Sequence, residues 1–303
     1  MTYSILARDP ETGAFGMAVQ SHFFGVGRLV GWLEPGLGGV ATQAFVNVGL
    51  GPKGLELLRS GSDAETTLDA LVAGDEMPEF RQVAVVDATG RVAVFTGDRC
   101  VPATGSRTGE QVVAQGNMLV SDAVYDSMID AYEQSTAPFP ERLVAALRAA
   151  EDHGGDARGS QSAAIKVVAG EPSDAPWEQT LVDLRVDDHT DPVGEITRLL
   201  ALHRAYEDLG AAMFTPGLVI GDIAEVSEAD LDSALTALEE ARISLGDNLE
   251  AGFWKAVVLA RSGRTEAAEA LFEEVFAAGP HFRAYRSSVE QAGFLGAVPA
   301  AAE

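Results

Sequence analysis

The segment Gly154-Gly155-Asp156-Ala157-Arg158-Gly159-Ser160-Gln161-Ser162 is the most unusual in the chain. Its glycines let backbone approach a ligand closely. Arg158 can hold a substrate carboxylate as a bidentate pair. Asp156 can bind a substrate amine or orient Arg158, and Gln161 and Ser162 close the segment as further substrate-binding candidates. The competing reading is a helix-to-strand connection pinned by an Asp–Arg pair. A second set consists of polar residues inside or ending apolar runs: Ser21-His22 and Thr42-Gln43. Buried polar groups need hydrogen-bond partners, so these four either satisfy backbone and one another or fix a nucleophile and its substrate. Asn117, in Gln115-Gly116-Asn117, carries an amide N–H that can hold a developing oxyanion, although Gly-Asn also suits a plain turn. Thr2 is the candidate nucleophile. Removal of Met1, favoured by a small second residue, would set its hydroxyl beside its own α-amine, a base of pKa ~7.7–8.0. A Met-Thr start is equally compatible with no catalytic role.

Two other groups are weaker. Asp183, Asp187, Asp188, His189 and Asp191 form an acidic cluster with the oxygen donors of a divalent-cation site. Asp191 as a helix cap and Arg185 as a neutralising neighbour explain them more simply, so neither metal nor cofactor is assigned. Cys100 is the single cysteine, which excludes an internal disulfide and a cysteine-based zinc site. A lone Cys is ordinarily a small hydrophobe.

The elements that must position these residues follow from period and punctuation. Residues 2–7 and 14–20 are β-prone and flank the turn Asp9-Pro10-Glu11-Thr12-Gly13, which predicts an opening hairpin. A buried strand is expected over 38–45, then helices over 53–59 and 64–73, the latter capped by Ser62 with Glu65. Residues 81–87 and 91–95 flank Ala88-Thr89-Gly90 as a second hairpin, and 110–114 is a further strand. Helices are expected over 121–134 and 140–152, the second showing Leu143, Ala146, Leu147 and Ala150 at helical spacing and ending at His153-Gly154-Gly155. Strands at 162–168 and 179–185 precede a helix over 191–209, with Asp191 as cap and Pro192 at its first position. Hairpins with helices arriving in pairs predict an α+β domain, a four-layer αββα sandwich of largely antiparallel sheets.

Beyond Thr215 the strand signals vanish and helices are expected over 229–244, 249–261, 265–277 and after Pro280. Ala256, Leu259, Gly263, Ala268, Phe272, Val275 and Pro280 match the ~34-residue tetratricopeptide pattern. A weaker copy holds Ala234, Leu238, Ala241 and Gly246. The expected organisation is therefore a first domain over 1–213 and a small all-α annex resembling tetratricopeptide repeats over 218–303, separated by Phe214-Thr215-Pro216-Gly217.

Composition bounds the function classes. The chain has 303 residues, 47% of them hydrophobic, and a formal net charge of −25. Its apolar content suffices for a sizeable core. The acidity argues against nucleic acid and against an anionic membrane surface. An acidic solvated shell is the simple account, and a cationic partner the sharper one. No run of ~18 uncharged apolar residues occurs, and the first residues lack the basic start and apolar run of a signal peptide. A cytoplasmic location is expected.

The blocks Thr2-Tyr3-Ser4-Ile5, Asp9-Pro10 with Thr12-Gly13, Ala41-Thr42-Gln43, Gln115-Gly116-Asn117, the 154–159 run with Gln161-Ser162, and Asp183-Leu184-Arg185-Val186-Asp187-Asp188-His189 occur in order across the first domain. With them the chain resembles DUF1028, a bacterial family of unknown function placed among the N-terminal-nucleophile (Ntn) hydrolases. Some members carry a C-terminal segment assigned to peptidoglycan binding, which the annex resembles, although a chain without a signal peptide would not meet the wall. The resemblance implies the αββα sandwich and Thr2 as nucleophile and base. Comparable enzymes often use a lysine on the third strand; residues 38–48 contain none, a departure from a proteasome-like mechanism. The expected function is an Ntn amidohydrolase acting on a small amide, lactam or peptide-like substrate without a cofactor. Asn117 or a backbone N–H near Thr42 would hold the oxyanion, with Arg158 and Asp156 on the substrate. The alternatives are a non-catalytic ligand-binding protein on the same fold, and a scaffold acting through the annex. A homodimer is expected, with the annex as one candidate surface for it.

Overall fold

The computed structural model describes residues 2–295. Alternating residues on the opening strands are buried on both sides, and the consequence is a sheet covered on each face. Strands β1 (Thr2–Arg8) and β2 (Phe15–Ser21) form the expected hairpin. Its turn is closed by Asp9, whose carboxylate accepts from Thr12 N at 3.2 Å and whose carbonyl accepts from Gly13 N at 2.9 Å.

Two antiparallel sheets face each other. The first is six-stranded, in the order β10 (Thr180–Val186), β9 (Ser162–Val168), β2, β1, β8 (Val112–Asn117), β7 (Gly105–Gly109). The second is four-stranded, in the order β3 (Gly31–Glu34), β4 (Gly38–Ala44), β5 (Arg81–Asp87), β6 (Val92–Thr96). Leu6, Met17, Val19 and Val113 from the first meet Ala41, Ala84 and Val86 from the second in a shared apolar core. Such interdigitating inner faces are the source of sandwich stability.

Helices cover both outer faces. α1 (Leu50–Arg59) and α2 (Ala64–Ala73) bury Leu50, Leu58, Leu68 and Leu71 against Val40, Val83 and Val85 of the four-stranded sheet. α3 (Ala123–Gln134) and α4 (Phe139–Asp152) lie on the six-stranded sheet. Gly16 permits the close approach of α4: a Cβ there would stand 2.4 Å from Leu143 Cδ1. The αββα sandwich expected from the sequence is the observed one.

Three local expectations differ. β3 and β7 were not expected: β3 is four residues long, and β7 reads GSRTG, with no alternation to mark it. Each exists because a stronger strand, β4 or β8, supplies its hydrogen bonds. The strand expected over 110–114 begins later, because Gln111 takes φ 58° in the β7–β8 turn. The cap of α2 is Asp63 and not Ser62; its carboxylate accepts from Thr66 N at 2.9 Å, and a negative group is favourable at a helix N-terminus.

The chain divides into two compact units, one running to Leu199 and the other from Leu200. Helix α5 (Pro192–Phe214) crosses the division. At its start, Asp191 accepts from Gly194 N at 2.9 Å, as the sequence implied. The second unit contains α6 (Glu228–Leu245), α7 (Glu250–Arg261), α8 (Thr265–Ala278) and α9 (Phe282–Gln291). Its core gathers Ala205 and Leu209 of α5 with Leu238, Ala256, Phe272 and Val275. The apolar repeat-like positions Leu238, Ala241, Ala256, Leu259, Ala268, Phe272 and Val275 are therefore packing positions, whereas Gly246, Gly263 and Pro280 are exposed. No helix among the described residues is long and apolar enough to cross a membrane.

Candidate functional site

Alternation along β1 places Thr2, Ser4 and Leu6 toward the second sheet. Leu6 joins the apolar core, whereas Ser4 and Thr2 lead into a polar end of the sandwich. There Ser4, Gln43, Gln82, Gln115 and Asn117 are all buried. Gln43 is one of the bridges between the sheets. Its Oε1 accepts from Ser4 Oγ at 2.7 Å, and its Nε2 donates to Gln82 Oε1 at 2.7 Å and to the Thr2 carbonyl at 3.2 Å. Asn117, paired with Thr2 across β1 and β8, donates from Nδ2 to the same carbonyl at 3.3 Å and to Gln82 Oε1 at 3.1 Å. Gln82 is the hub: its Nε2 donates to Thr96 Oγ1 at 3.0 Å and to the carbonyls of Gly105 and Gly116 at 2.9 Å each. Asn117 Oδ1 and Gln115 Oε1 are buried acceptors without a partner among the described residues. Interior polar networks of this kind specify one geometry because each broken bond leaves a desolvated group.

Thr2 is 8% exposed, and its Oγ1 donates to Ser21 Oγ at 3.1 Å. The two hydroxyls and Gln43 border a cleft of ≈ 90 Å³. Its remaining walls are Phe23, Val26, Leu29, Val30, Ala44 and Val46. Ala44 is held at φ 70°, a left-handed conformation that costs a non-glycine residue about 1–2 kcal/mol; such strain collects where the surroundings enforce a shape.

The walls are pinned from behind. Ser162 Oγ donates to Phe23 O at 2.5 Å and accepts from Val26 N at 3.1 Å, fixing the turn after β2. On the opposite side, the Arg81–Asp75 ion pair is buried, with 11% and 1% of the side chains exposed. Arg81 also donates to Phe45 O, and Asn47 Nδ2 donates to Asp75 at 2.7 Å. Burial raises the Asp75 carboxyl, but the hydrogen bonds from Arg81, Asn47 and Met77 N outweigh it and hold the pKa at about 2.

The 154–162 segment supports the site from outside the cleft. Gly154 and Gly155, at φ 97° and 51°, end α4 by donating to Glu151 O and Ala150 O at 2.9 Å each, the αL termination that glycine allows. The Asp156 side chain is fully buried: Oδ2 accepts from His22 N at 2.9 Å and Oδ1 from Arg158 N at 2.8 Å. The guanidinium of the Arg158 side chain, itself 41% exposed, grips the same carboxylate, Nη2 to Oδ2 at 3.2 Å. Gln161 N donates to Ser21 O at 3.2 Å, and its side chain donates to Asp188 at 3.1 Å. Tyr3, on the opposite face of β1, donates to Glu151, which also accepts from Ser160 Oγ. Burial, and then the Glu151 charge, push the Tyr3 hydroxyl well above its ordinary pKa.

Thr2, Ser21, Gln43 and Asn117 are thus brought together. His22 enters through its backbone N–H. Asp156, Arg158, Gln161 and Ser162 do not line the cleft; they hold its frame. Two expectations need correction. Thr42 does not reach the site, because alternation turns it from Gln43's face. Its N–H bonds Val30 O at 3.0 Å and its hydroxyl donates to Asn47 O at 3.4 Å. Asn117's amide hydrogens are spent on Thr2 O and Gln82, so it positions Thr2 and has no N–H aimed at an oxyanion. Sequence reading missed Gln82, Gln115 and Ser4. Their signal, a polar residue inside an apolar strand, is the one that marked Gln43. The acidic candidates disperse: Asp183 lies 3.9 Å from Lys166, Asp188 accepts from Gln161, and Asp191 caps α5. Cys100 is buried, donates to Arg81 O at 3.3 Å, and has its pKa raised by burial.

Fold and site together define a helix-covered, two-sheet antiparallel sandwich whose buried polar end opens beside the first strand. Known proteins of the same kind agree. The family model described as a family of unknown function, DUF1028, matches residues 2–196, and the chain belongs to that family. The crystal structure of a DUF1028 protein from Silicibacter pomeroyi is similar, at 36% identity and TM-score 0.59, covering 66% of this chain and 87% of that one. No curated protein matches the chain.

Proposed function

We propose that the chain is an amidohydrolase of the N-terminal-nucleophile type, with Thr2 supplying both nucleophile and base. The observation that carries this is the setting of Thr2. Its hydroxyl is hydrogen-bonded to Ser21 at a cleft wall, while two side-chain amides grip its carbonyl. Once Met1 is removed, the α-amine brings N–H donors to a neighbourhood where Asn117 Oδ1 is an unpartnered acceptor.

The chemistry follows from that placement. Thr2 Oγ attacks the amide carbonyl carbon while the α-amine takes the hydroxyl proton. The oxyanion is met by the Ser21 hydroxyl, which stands in for the donors expected of Asn117 and Thr42. Collapse breaks the C–N bond, and the α-ammonium proton passes to the leaving amine. Water then attacks the Thr2 ester while the α-amine takes its proton; collapse breaks the acyl C–Oγ bond, the α-ammonium returns that proton to Thr2 Oγ, and the carboxylic acid leaves. No step uses a cofactor. Asp156 and Arg158 act as positioning residues for the β2 end that carries Ser21.

The test is an intact mass followed by turnover of small amides. The expected mass lacks Met1, and Thr2→Ala abolishes turnover while leaving the circular dichroism and melting curve unchanged. Turnover by Thr2→Ala, or turnover by protein that retains Met1, overturns the assignment.

A further inference from the structure

The lining of the Thr2 cleft divides sharply. Thr2, Ser21 and Gln43 form one polar side; the other six residues are apolar. Among the described residues, no Lys, Arg, Asp, Glu or His contributes to the lining. A charge placed there would lose its hydration and find no counter-ion, an unfavourable exchange. The net charge of −25 adds a repulsive field against anions.

The size is equally restrictive. The ≈ 90 Å³ of the cleft is far below the roughly 300–1,000 Å³ of pockets that take drug-sized ligands. Its walls cannot easily widen. Ser162 fixes the Phe23–Val26 turn, Thr42 N holds Val30 O, and the Asp75–Arg81 pair fixes Phe45 O. Shape and chemistry therefore act together, as in pockets that select by size.

We infer that this cleft is an acyl-side pocket for a short, uncharged aliphatic group, so that the acyl part of the substrate is a small aliphatic chain and not a charged one. The inference deepens the amidohydrolase proposal, on which its catalytic sense rests, but the binding preference can be measured without turnover.

The test is a titration of acetamide, propionamide, butyramide, hexanamide and succinamate, followed by ligand-observed NMR. It is run on the full chain and on its Thr2→Ala variant, with turnover of the same amides by the full chain followed separately. Affinity should rise about fourfold per added methylene up to butyramide, the gain of burying one CH₂, and fall at hexanamide. Succinamate should bind at least about tenfold more weakly than butyramide. Val30→Phe, which fills the pocket, should abolish the butyramide preference; Val46→Phe, at a half-buried wall position, is the variant for use if Val30→Phe does not fold. A flat series, equal binding of succinamate, or no binding by any of these amides overturns the inference. Chain-length-dependent binding without turnover would remove the hydrolase proposal and leave the pocket standing. Turnover without that dependence would do the reverse.

Discussion

Asp75 offers the cleanest test of how the cleft wall is held. Its carboxylate is buried against Arg81 and Asn47, and its pKa lies at about 2 against an ordinary 3.8. A pK unit is worth about 1.4 kcal/mol, so the folded state favours the ionised form by roughly 2.5 kcal/mol. Because the folded value is depressed, this stability is present above the unfolded pKa and is lost as pH falls toward the folded one. Asp75→Asn mimics the protonated state in nearly the same volume. It should therefore cost about 2–3 kcal/mol near pH 7 by urea unfolding. The gap between wild type and variant should close as pH falls from about 5 toward about 2. Comparing the two proteins cancels the titration of the other carboxylates. A gap under about 1 kcal/mol at neutral pH, typical of an exposed pair, or one that does not narrow with acid, would refute the reasoning. Since Arg81 also holds Phe45 O, the variant should weaken small-amide binding as well.

Gly16→Ala places a methyl 2.4 Å from Leu143 Cδ1 and 2.8 Å from the Phe139 ring. It should destabilise by about 1–3 kcal/mol, read as a fall in melting temperature. Asn117→Leu removes one of the two amides on the Thr2 carbonyl and leaves Gln82 Oε1 with Gln43 alone. It should cost about 1–3 kcal/mol in stability and lower kcat more than it raises KM, because the nucleophile and not the pocket is disturbed. Equal effects on both constants would place Asn117 in substrate binding instead.

The site was legible in part. Ser21 and Gln43 are marked in the sequence by being polar beside apolar strand residues, and Thr2 by its place directly after Met1. The structure adds the partners that give them geometry. Gln82 sits in RQVAVVD and Gln115 in VVAQGN, and each resembles an incidental polar residue until β4, β5 and β8 converge. Thr42 and Gln43 are neighbours in the chain, yet strand alternation sends one to the inner face and the other away. The Gly154–Ser162 run was conspicuous for its glycines and its Asp–Arg pair. Those features serve a helix end and the anchoring of Ser21, which no local pattern distinguishes from ligand binding.

What the sequence by itself determined is the set of elements and their inner faces. Period-two runs separated by Asp-Pro and Gly turns made the hairpins, paired amphipathic helices made the outer layers, and repeat spacing made the annex helices. These are local properties, carried by residues a few positions apart. Only the tertiary structure decided which strands oppose each other and in what register: Thr2 against Asn117, Gln43 against Gln82, Ser21 against Ser162. Pairing over such separations depends on the packing of the whole sandwich, and a slip of one residue would turn every one of these side chains to the other face. Short β3 and polar β7 belong to the same class, strands made by their neighbours' hydrogen bonds and not by their own composition.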